Sequence, residues 1–206
     1  MSVAGHSPRG GEGVDNFPTP AWCVHRLLEA WTPRAGFILE PAAGDGAIVR
    51  AAARAIERSW FTLDIRDCGQ SGQEIADFLT WEPHPTMITR VGTVWTNPPF
   101  ALAEQFIRRS AALFPDADIC FLVRVGFLAS EGRAALWREL GAPDVYVLPN
   151  RPSFNTDGKT DSSDYAWIVL PGEDRRDVGA LRILGTTGKA ERKWLRITDG
   201  VGWALL

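Results

Sequence analysis

The sequence predicts an α/β fold: a mostly parallel sheet with helices on both faces and an antiparallel strand at one edge. Short apolar segments alternate with segments of helical periodicity along most of the chain, as is typical of parallel sheets with helical connections. The last two apolar segments, 145–148 and 165–170, have no helical segment between them. This favours antiparallel pairing of the last two strands at the edge, because antiparallel neighbours need only a hairpin-like connection.

Four segments have the composition and spacing of helices. Residues 20–31 begin with a proline and repeat apolar side chains at helical spacing, and residues 47–58 are rich in alanine. The same reasoning predicts helices over 102–114 and 131–140.

Six apolar segments bounded by turn residues predict strands. They cover residues 37–39, 60–65, 91–96, 119–127, 145–148 and 165–170. In a parallel sheet of this kind, ligands bind beyond the carboxyl ends of the strands, where the strand order reverses. We therefore expect the functional residues in the loops that follow the first three strands.

A chain of 206 residues, 45% of them hydrophobic, has the size of one globular domain. Residues 1–14 are rich in glycine and polar side chains and predict a flexible tail. The main domain is expected over residues 15–172. A C-terminal extension over 173–206 is basic in its first part.

Charge, hydropathy and cysteine content argue against several classes of protein. A net charge of −3 disfavours a protein that binds nucleic acid through charge alone. Apolar segments stay well short of the roughly 20 residues that span a bilayer, so we expect no membrane partner. The three cysteines form neither a C-x-x-C pair nor a Cys/His cluster. We therefore expect no metal site and a reducing, cytoplasmic location.

The loop after the first predicted strand, residues 40–46, reads EPAAGDG and leads into a helix. Its small residues let a ligand approach the backbone, although a plain helix-capping turn has the same composition. Val49 replaces the third glycine of a dinucleotide fingerprint, and Glu40 would repel a diphosphate. Both features favour a ligand with an amino group. Asp64 ends the second strand, where an acidic residue meets ribose hydroxyls in this topology.

The loop after the third long strand reads TNPPF, residues 96–100. Asn-Pro-Pro is also a common turn sequence, but here proline geometry holds two acceptors rigidly, the Asn97 side-chain oxygen and the Pro98 carbonyl. Such acceptors draw the hydrogens of a delocalised amine toward tetrahedral geometry and stabilise its developing positive charge. Phe100 can lie flat against a planar ring. No histidine lies beside this loop, and the chemistry needs no strong base.

Together, EPAAGDG at 40–46 and NPPF at 97–100 resemble the signature of S-adenosylmethionine-dependent amino-methyltransferases of DNA, above all the adenine-N6 group. The segments FPTP (17–20) and DFL (77–79) also resemble motifs of these enzymes. RPSF (151–154) resembles small methyltransferases encoded by phages and prophages. The resemblance covers residues 15–172 and implies a Rossmann-like methyltransferase fold with a further short strand near 74–77.

The resemblance also implies roles for individual residues. Glu40 would meet the amino group of the methionine moiety, Asp64 the ribose, and Asp77 and Phe78 the adenine. The implied S-adenosylmethionine-binding residues are Phe17, Thr19, Pro20, Glu40, Ala42, Gly44, Asp45, Gly46, Asp64, Asp77 and Phe78. The implied catalytic residues, which hold the target base, are Asn97, Pro98, Pro99 and Phe100.

The chain leaves no room for a separate target-recognition domain, so recognition of DNA is expected to be short or relaxed. The candidate recognition loop covers residues 150–164. Arg151 and Lys159 are candidate contacts to phosphates, which position a protein on DNA without specifying sequence. Phe154 is a candidate wedge for flipping the target base, with packing beneath the loop as the alternative.

The sequence thus predicts a DNA adenine-N6 methyltransferase with relaxed specificity, in the cytoplasm of a bacterium or a phage-infected host cell. The same chemistry on cytosine N4, an RNA base or a protein glutamine amide stays open, because Asn-Pro-Pro followed by an aromatic residue serves all of them. A cofactor-binding pseudoenzyme that acts as a decoy is the alternative from another class. Nicotinamide chemistry is disfavoured by Val49 and Glu40.

Overall fold

The computed structural model describes residues 17–154, 160–173 and 179–189. Within these ranges eight strands form one sheet in the order β3-β2-β1-β4-β5-β7-β6-β8. The strands are β1 (Phe37–Glu40), β2 (Trp60–Asp64), β3 (Glu74–Ile75), β4 (Val91–Thr96), β5 (Asp118–Arg124), β6 (Asp144–Leu148), β7 (Tyr165–Leu170) and β8 (Leu181–Ile183). The helices are α1 (Ala21–Leu28), α2 (Ala47–Ala52), α3 (Pro85–Ile88), α4 (Ala103–Leu113) and α5 (Glu131–Leu140), with 3₁₀ turns at Phe100–Leu102 and Val125–Leu128.

Parallel pairing brings the ends of the central strands to one edge of the sheet. β1 lies between β2 and β4, with Leu39 paired to both Phe61 and Val94. β4 pairs parallel with β5, and Thr96 lies opposite Phe121. The loops after β1, β2 and β4 therefore emerge side by side, and the order of the strands reverses between β1 and β4, as expected of a ligand-binding crevice.

The antiparallel pairing of the last two predicted strands is confirmed, but their place in the sheet differs from the prediction. β7 lies inside the sheet, antiparallel to both β5 and β6. The edge is formed by β8, which pairs parallel with β6. β8 lacks a sequence signal because it has only three residues, and Leu181 and Ile183 are both largely exposed. The sheet thus continues into the predicted C-terminal extension.

The ends of α2 and β5 differ from the prediction, and one short helix was not predicted. α2 ends at Ala52, after which the chain turns so that Ile56 packs against the core. β5 ends at Arg124, and the Val125 N–H donates to the Asp164 carbonyl in the following turn. The short α3 was not predicted; its N-cap is His84, whose side chain accepts the Thr86 N–H.

Apolar side chains pack on both faces of the sheet, which confirms the predicted layers. On one face α1 and α2 cover the fully buried Trp95 and Trp167. On the other face α4 and α5 cover a cluster that includes Phe121. The Trp167 indole N–H donates to the Cys23 carbonyl over 2.9 Å and so ties α1 to β7. These layers fix the loops at the carboxyl ends of the strands.

The described ranges contain neither a membrane-spanning helix nor a metal-binding cluster. None of the helices there has the length and apolar character to cross a membrane. No group of three or more His, Cys, Asp or Glu side chains in those ranges is placed to hold a metal ion. Cys23, Cys68 and Cys120 are free thiols.

Candidate active site

A cleft opens at the carboxyl ends of β1, β2 and β4. Its walls are the segment before α1, the loops after these three strands, and the turn after β3. Twelve of the residues that the sequence singled out line it: Phe17, Thr19, Glu40, Ala42, Gly44, Asp45, Asp64, Asp77, Phe78, Asn97, Pro98 and Pro99. The two loops expected to form the site therefore meet, although 53 residues (97 − 44) separate Gly44 from Asn97.

Three predicted residues lie just behind this lining. Pro20 is the N-cap of α1. Gly46 is the N-cap of α2 and adopts a left-handed conformation, with φ of +80°. A Cβ atom at Gly46 would overlap the Gln70 side chain, so both backbone geometry and space favour glycine there. Phe100 begins the 3₁₀ turn that follows the prolines.

The predicted DNA contacts are not brought together in the cleft. Arg151 is half exposed and forms an ion pair with Asp164, with 2.8 Å between Nε and Oδ1. Phe154 is 8% exposed, and its ring packs beside Phe100. This burial favours the alternative role, packing beneath the loop, over a wedge that projects toward DNA. Lys159 lies outside the described residues.

The glycine turn after β1 is held from both sides of Gly44. The Gly44 N–H donates to Asp64 Oδ2 over 2.8 Å, and the Gly44 carbonyl accepts the Gln70 amide N–H over 2.6 Å. Gly44 itself has a φ of +52°. Because β1 and β2 are parallel neighbours, the carboxylate that ends β2 reaches the turn that follows β1.

Glu40, the last residue of β1, carries a buried carboxyl group that lacks a hydrogen-bond donor at one oxygen. Its side chain is 2% exposed, and Oε2 has no hydrogen-bond partner. Burial, reinforced by the negative charges of Asp45 and Asp64, raises the pKa of Glu40 well above its usual range. An ammonium group in the cleft would supply both the missing donor and a compensating charge.

The end of β2 offers a polar and an apolar contact next to each other. Asp64 is 5% exposed, and its two oxygens accept the backbone N–H groups of Gly44 and Arg66. Oδ1 also accepts the Arg66 Nε–H over 3.4 Å, whereas Oδ2 keeps a second acceptor position with which Asp64 can bind a hydroxyl group. Ile65 lines the cleft and is 62% exposed. Ile65 has no sequence signal of a binding residue, because an isoleucine at the end of a strand is typical of the core.

The Asn97 side chain presents its oxygen as an acceptor. Its Nδ2 donates to the Phe17 carbonyl over 3.1 Å, which fixes the orientation of the amide. Its Oδ1 is buried and has no partner. Pro98 and Pro99 add no N–H groups that could compete. The loop therefore holds an unsatisfied acceptor at the cleft, where an amine can donate to it.

Phe100 lies in an aromatic cluster made of Phe17, Phe100, Phe154 and Tyr165. The Phe17 ring stacks on Phe100 with centroids 5.8 Å apart and planes inclined by 19°. Phe154 and Tyr165 contact Phe100 at centroid distances of 6.1 and 5.6 Å. The Arg124 guanidinium carbon lies 4.8 Å from the Phe100 centroid. No sequence signal places Tyr165 or Arg124 beside Phe100, because β5 and β7 become neighbours only in the folded sheet.

Solved structures share this fold. A type I restriction-modification methyltransferase subunit from Streptococcus thermophilus is 15% identical over 92% of this chain and 53% of its own, with a TM-score of 0.56. A protein described as the modification subunit of a type I restriction enzyme, from Vibrio vulnificus, is 19% identical over 81% of this chain and 45% of its own, with a TM-score of 0.57. The chain thus spans about half the length of these two subunits.

A third structure has a similar fold over a larger share of its own length. It is described as a class I S-adenosylmethionine-dependent methyltransferase from Listeria monocytogenes, 12% identical over 86% of this chain and 67% of its own, with a TM-score of 0.54. No protein-family model and no curated protein sequence matches the chain. At these identities the similarity establishes the architecture: the chain has the Rossmann-like fold of class I methyltransferases.

Proposed function

We propose that this protein transfers a methyl group from S-adenosylmethionine to the exocyclic N6 amine of adenine in DNA. The observation that carries the proposal is the state of Asn97. Its amide nitrogen is engaged by the Phe17 carbonyl, and its buried oxygen has no partner. A buried acceptor without a donor has a free-energy cost of about 1–3 kcal/mol, which a substrate amine would relieve.

Several residues of the cleft match the chemical groups of S-adenosylmethionine. Glu40 Oε2, buried and unpartnered, would accept the methionine ammonium group. Asp64 would accept a ribose hydroxyl, and Asp77, which also lines the cleft, would meet the edge of the adenine. Ile65 would supply apolar surface for a face of the adenine, whereas the Phe78 side chain lines the cleft with only 1% of its surface exposed. When bound, S-adenosylmethionine supplies an electrophilic methyl group.

The chain's own part in the reaction is to hold and polarise the target amine. Asn97 Oδ1 and the Pro98 carbonyl would accept its two hydrogens, which localises the nitrogen lone pair. The same two dipoles stabilise the positive charge that develops on that nitrogen. Phe100 would support the face of the base and fix its orientation. The proton leaves to water after transfer, so no histidine or carboxylate is required as a strong base.

The choice of adenine in DNA rests on two observations. NPPF at 97–100 resembles the adenine-N6 group, and two of the similar structures are restriction-modification subunits. The loop over 150–164 and the basic part of the C-terminal extension stay predicted DNA contacts. Within the proposal, the methyltransferase domain continues past the predicted boundary at residue 172 to include β8, and the protein acts in the cytoplasm of a bacterium or a phage-infected cell.

The test is to incubate the purified protein with labelled S-adenosylmethionine and unmethylated genomic DNA. The DNA is then digested to nucleosides, which are identified by mass spectrometry. We expect N6-methyladenine, at a density that reports how relaxed the recognition is. Detection of N4-methylcytosine would support the same mechanism with cytosine, in place of adenine, as the target base. Cofactor binding without any modified deoxynucleoside would contradict the proposal and favour RNA, protein or a decoy role.

The variant Asn97→Ala separates chemistry from binding. Removal of one preorganised dipole typically lowers kcat by about 10²–10³-fold, whereas affinity for S-adenosylmethionine should change little. The matched control is Ser110→Ala in α4, which also removes a buried side-chain hydrogen bond, to the Phe106 carbonyl. Full turnover in Asn97→Ala would show that Asn97 does not hold the amine.

A further inference from the structure

Arg124 stands at the edge of the candidate site without a role in the mechanism above. It is the last residue of β5 and is exposed, whereas the six preceding residues of the strand are buried. Its guanidinium carbon lies 4.8 Å from the centroid of the Phe100 ring, within the range of a cation–π contact. An exposed cation therefore lies directly beside the ring that would support the target base.

A hydrogen-bonded chain fixes the direction of this guanidinium. Arg124 Nε donates to Tyr165 Oη over 3.3 Å, and Tyr165 Oη donates to Asp161 Oδ2 over 2.9 Å. Asp161 Oδ1 in turn accepts the Ser163 N–H over 2.8 Å. Burial, together with Asp161, raises the pKa of Tyr165 to about 12, so the hydroxyl remains a donor at neutral pH. The network holds Arg124 through Nε against Phe100.

The charge of Arg124 is opposite to that of most charged groups in the cleft. Glu40, Asp45, Asp64 and Asp77 line the cleft with acidic groups against one basic side chain, Arg66, which pairs with Asp64. The whole chain has a net charge of −3. A polyanion would be repelled by such a surface unless cations lie where its backbone passes. Arg124 places a permanent positive charge next to the acceptor loop, on the side of Phe100.

We propose that Arg124 binds the phosphate of the target nucleotide and so positions the base against Phe100 and Asn97. The inference rests on the proposed function and adds a positioning residue to it. One sugar separates a base from its own phosphate, so a cation beside the ring that supports the base is within reach of that phosphate. Arg124 thereby compensates locally for the acidic cleft.

The test compares Arg124→Gln and Arg124→Lys with the wild-type protein. A matched control is Arg90→Gln, because the Arg90 guanidinium stacks on Phe37 at 4.3 Å, at the amino end of β1. The readouts are KM for a duplex oligonucleotide, the salt dependence of its binding, transfer to the free nucleoside deoxyadenosine, and affinity for S-adenosylmethionine. Thermal unfolding checks that each variant is folded.

For Arg124→Gln we expect KM for the duplex to rise about tenfold, the effect of losing one charge-assisted contact. The slope of log K against log salt should fall by about one, the signature of one lost phosphate contact. Transfer to deoxyadenosine, which has no phosphate, and cofactor affinity should stay unchanged. Arg124→Lys should keep most of the salt slope, and Arg90→Gln should match the wild type.

Other outcomes overturn the inference. An unchanged KM and salt slope in Arg124→Gln would mean that no phosphate is bound there. A lower KM would mean that the guanidinium occupies the place of the base and has to leave. If the wild-type protein binds S-adenosylmethionine but leaves DNA unmodified, both the proposed function and the inference about Arg124 are wrong. If it methylates DNA and only the Arg124 effects are missing, the proposed function stands and the inference alone falls.

Discussion

Replacing Glu40 by glutamine should make the protein more stable and a weaker binder of S-adenosylmethionine at the same time. The substitution keeps the shape of the side chain and removes its charge. Glu40 accepts the Val49 backbone N–H, but its Oε2 is buried without a partner. Burial above all, and then the charges of Asp45 and Asp64, raise the pKa of Glu40.

The sign of the stability effect follows from that shift. Because the pKa in the folded state is raised, the protonated Glu40 favours the fold at pH values below the pKa of an exposed glutamate. This contribution is lost as the pH rises through the folded-state pKa, above which the fold carries an ionised, poorly solvated carboxylate. Glutamine is neutral throughout. The free energy of unfolding of Glu40→Gln should therefore exceed that of the wild type most at pH 8, and the difference should shrink toward acidic pH.

The gain in the free energy of unfolding comes from removing the buried charge, because the glutamine amide in the place of Oε2 would have no partner either. A buried, poorly solvated charged group costs at least about 1–3 kcal/mol, so we expect a gain of about that size. For a domain of this length the gain corresponds to a rise in Tm of roughly 2–10 °C. Losing a charge-assisted hydrogen bond of about 1.5–3 kcal/mol should weaken binding of S-adenosylmethionine roughly 10- to 100-fold.

Both effects can be measured on the same samples, by thermal unfolding from pH 5 to pH 8 and by titration calorimetry with S-adenosylmethionine. The control is Asp118→Asn, which neutralises a buried carboxylate that accepts the Gly172 N–H over 3.2 Å and should give no gain. A Glu40→Gln protein that is less stable than the wild type at pH 8 would refute the reasoning. So would a stability difference that does not vary with pH.

Three further variants test the turn, the cleft and the fold. Asp64→Ala removes the acceptor of the Gly44 N–H. We expect S-adenosylmethionine no longer to raise the Tm of this variant. An undiminished rise in Tm would place the ribose elsewhere. Ile65→Ala should leave the free energy of unfolding within about 0.5 kcal/mol and weaken cofactor binding roughly fivefold by calorimetry, from about 1 kcal/mol of lost apolar contact; equal affinity would remove Ile65 from the site. Gly92→Ala should destabilise the fold by about 3 kcal/mol or more in denaturant titrations, because its Cβ would overlap the Ala35 carbonyl; a smaller loss would mean that the backbone there adjusts.

The fold was predictable where periodicity is strong and unpredictable where pairing decides. α5 and β7 match the predicted ranges because a continuous helical pattern and a fully buried apolar segment leave little choice. The internal position of β7 could not be deduced from the sequence. β5 and β6 are both apolar, so the pattern does not show whether β7 pairs with one of them or with both. β8 is held in the sheet by its pairing with β6, and its side chains are exposed. Its sequence therefore shows no pattern of buried apolar residues that would predict a strand.

The candidate site divides in a similar way. Residues that carry backbone or acceptor chemistry, such as Gly44, Glu40 and Asn97, were found because their chemistry is local and the topology brings their loops together. Contacts between distant surfaces were not found. Arg124 meets Phe100 only because β4 and β5 are neighbours. Ile65 becomes recognisable only when its exposure is known.

The hydrogen bonds that Gly44 makes with Asp64, Gln70 and Gln73 have a consequence for the rate of binding. Asp64 and Gln70 hold the N–H and the carbonyl of this residue before any ligand arrives. A glycine turn fixed in advance loses little conformational entropy when a ligand binds, so the association step does not wait for the loop to order. Loosening the turn at Gln70 should slow association, with a smaller effect on dissociation. The residue that loosens the turn need not touch the ligand at all.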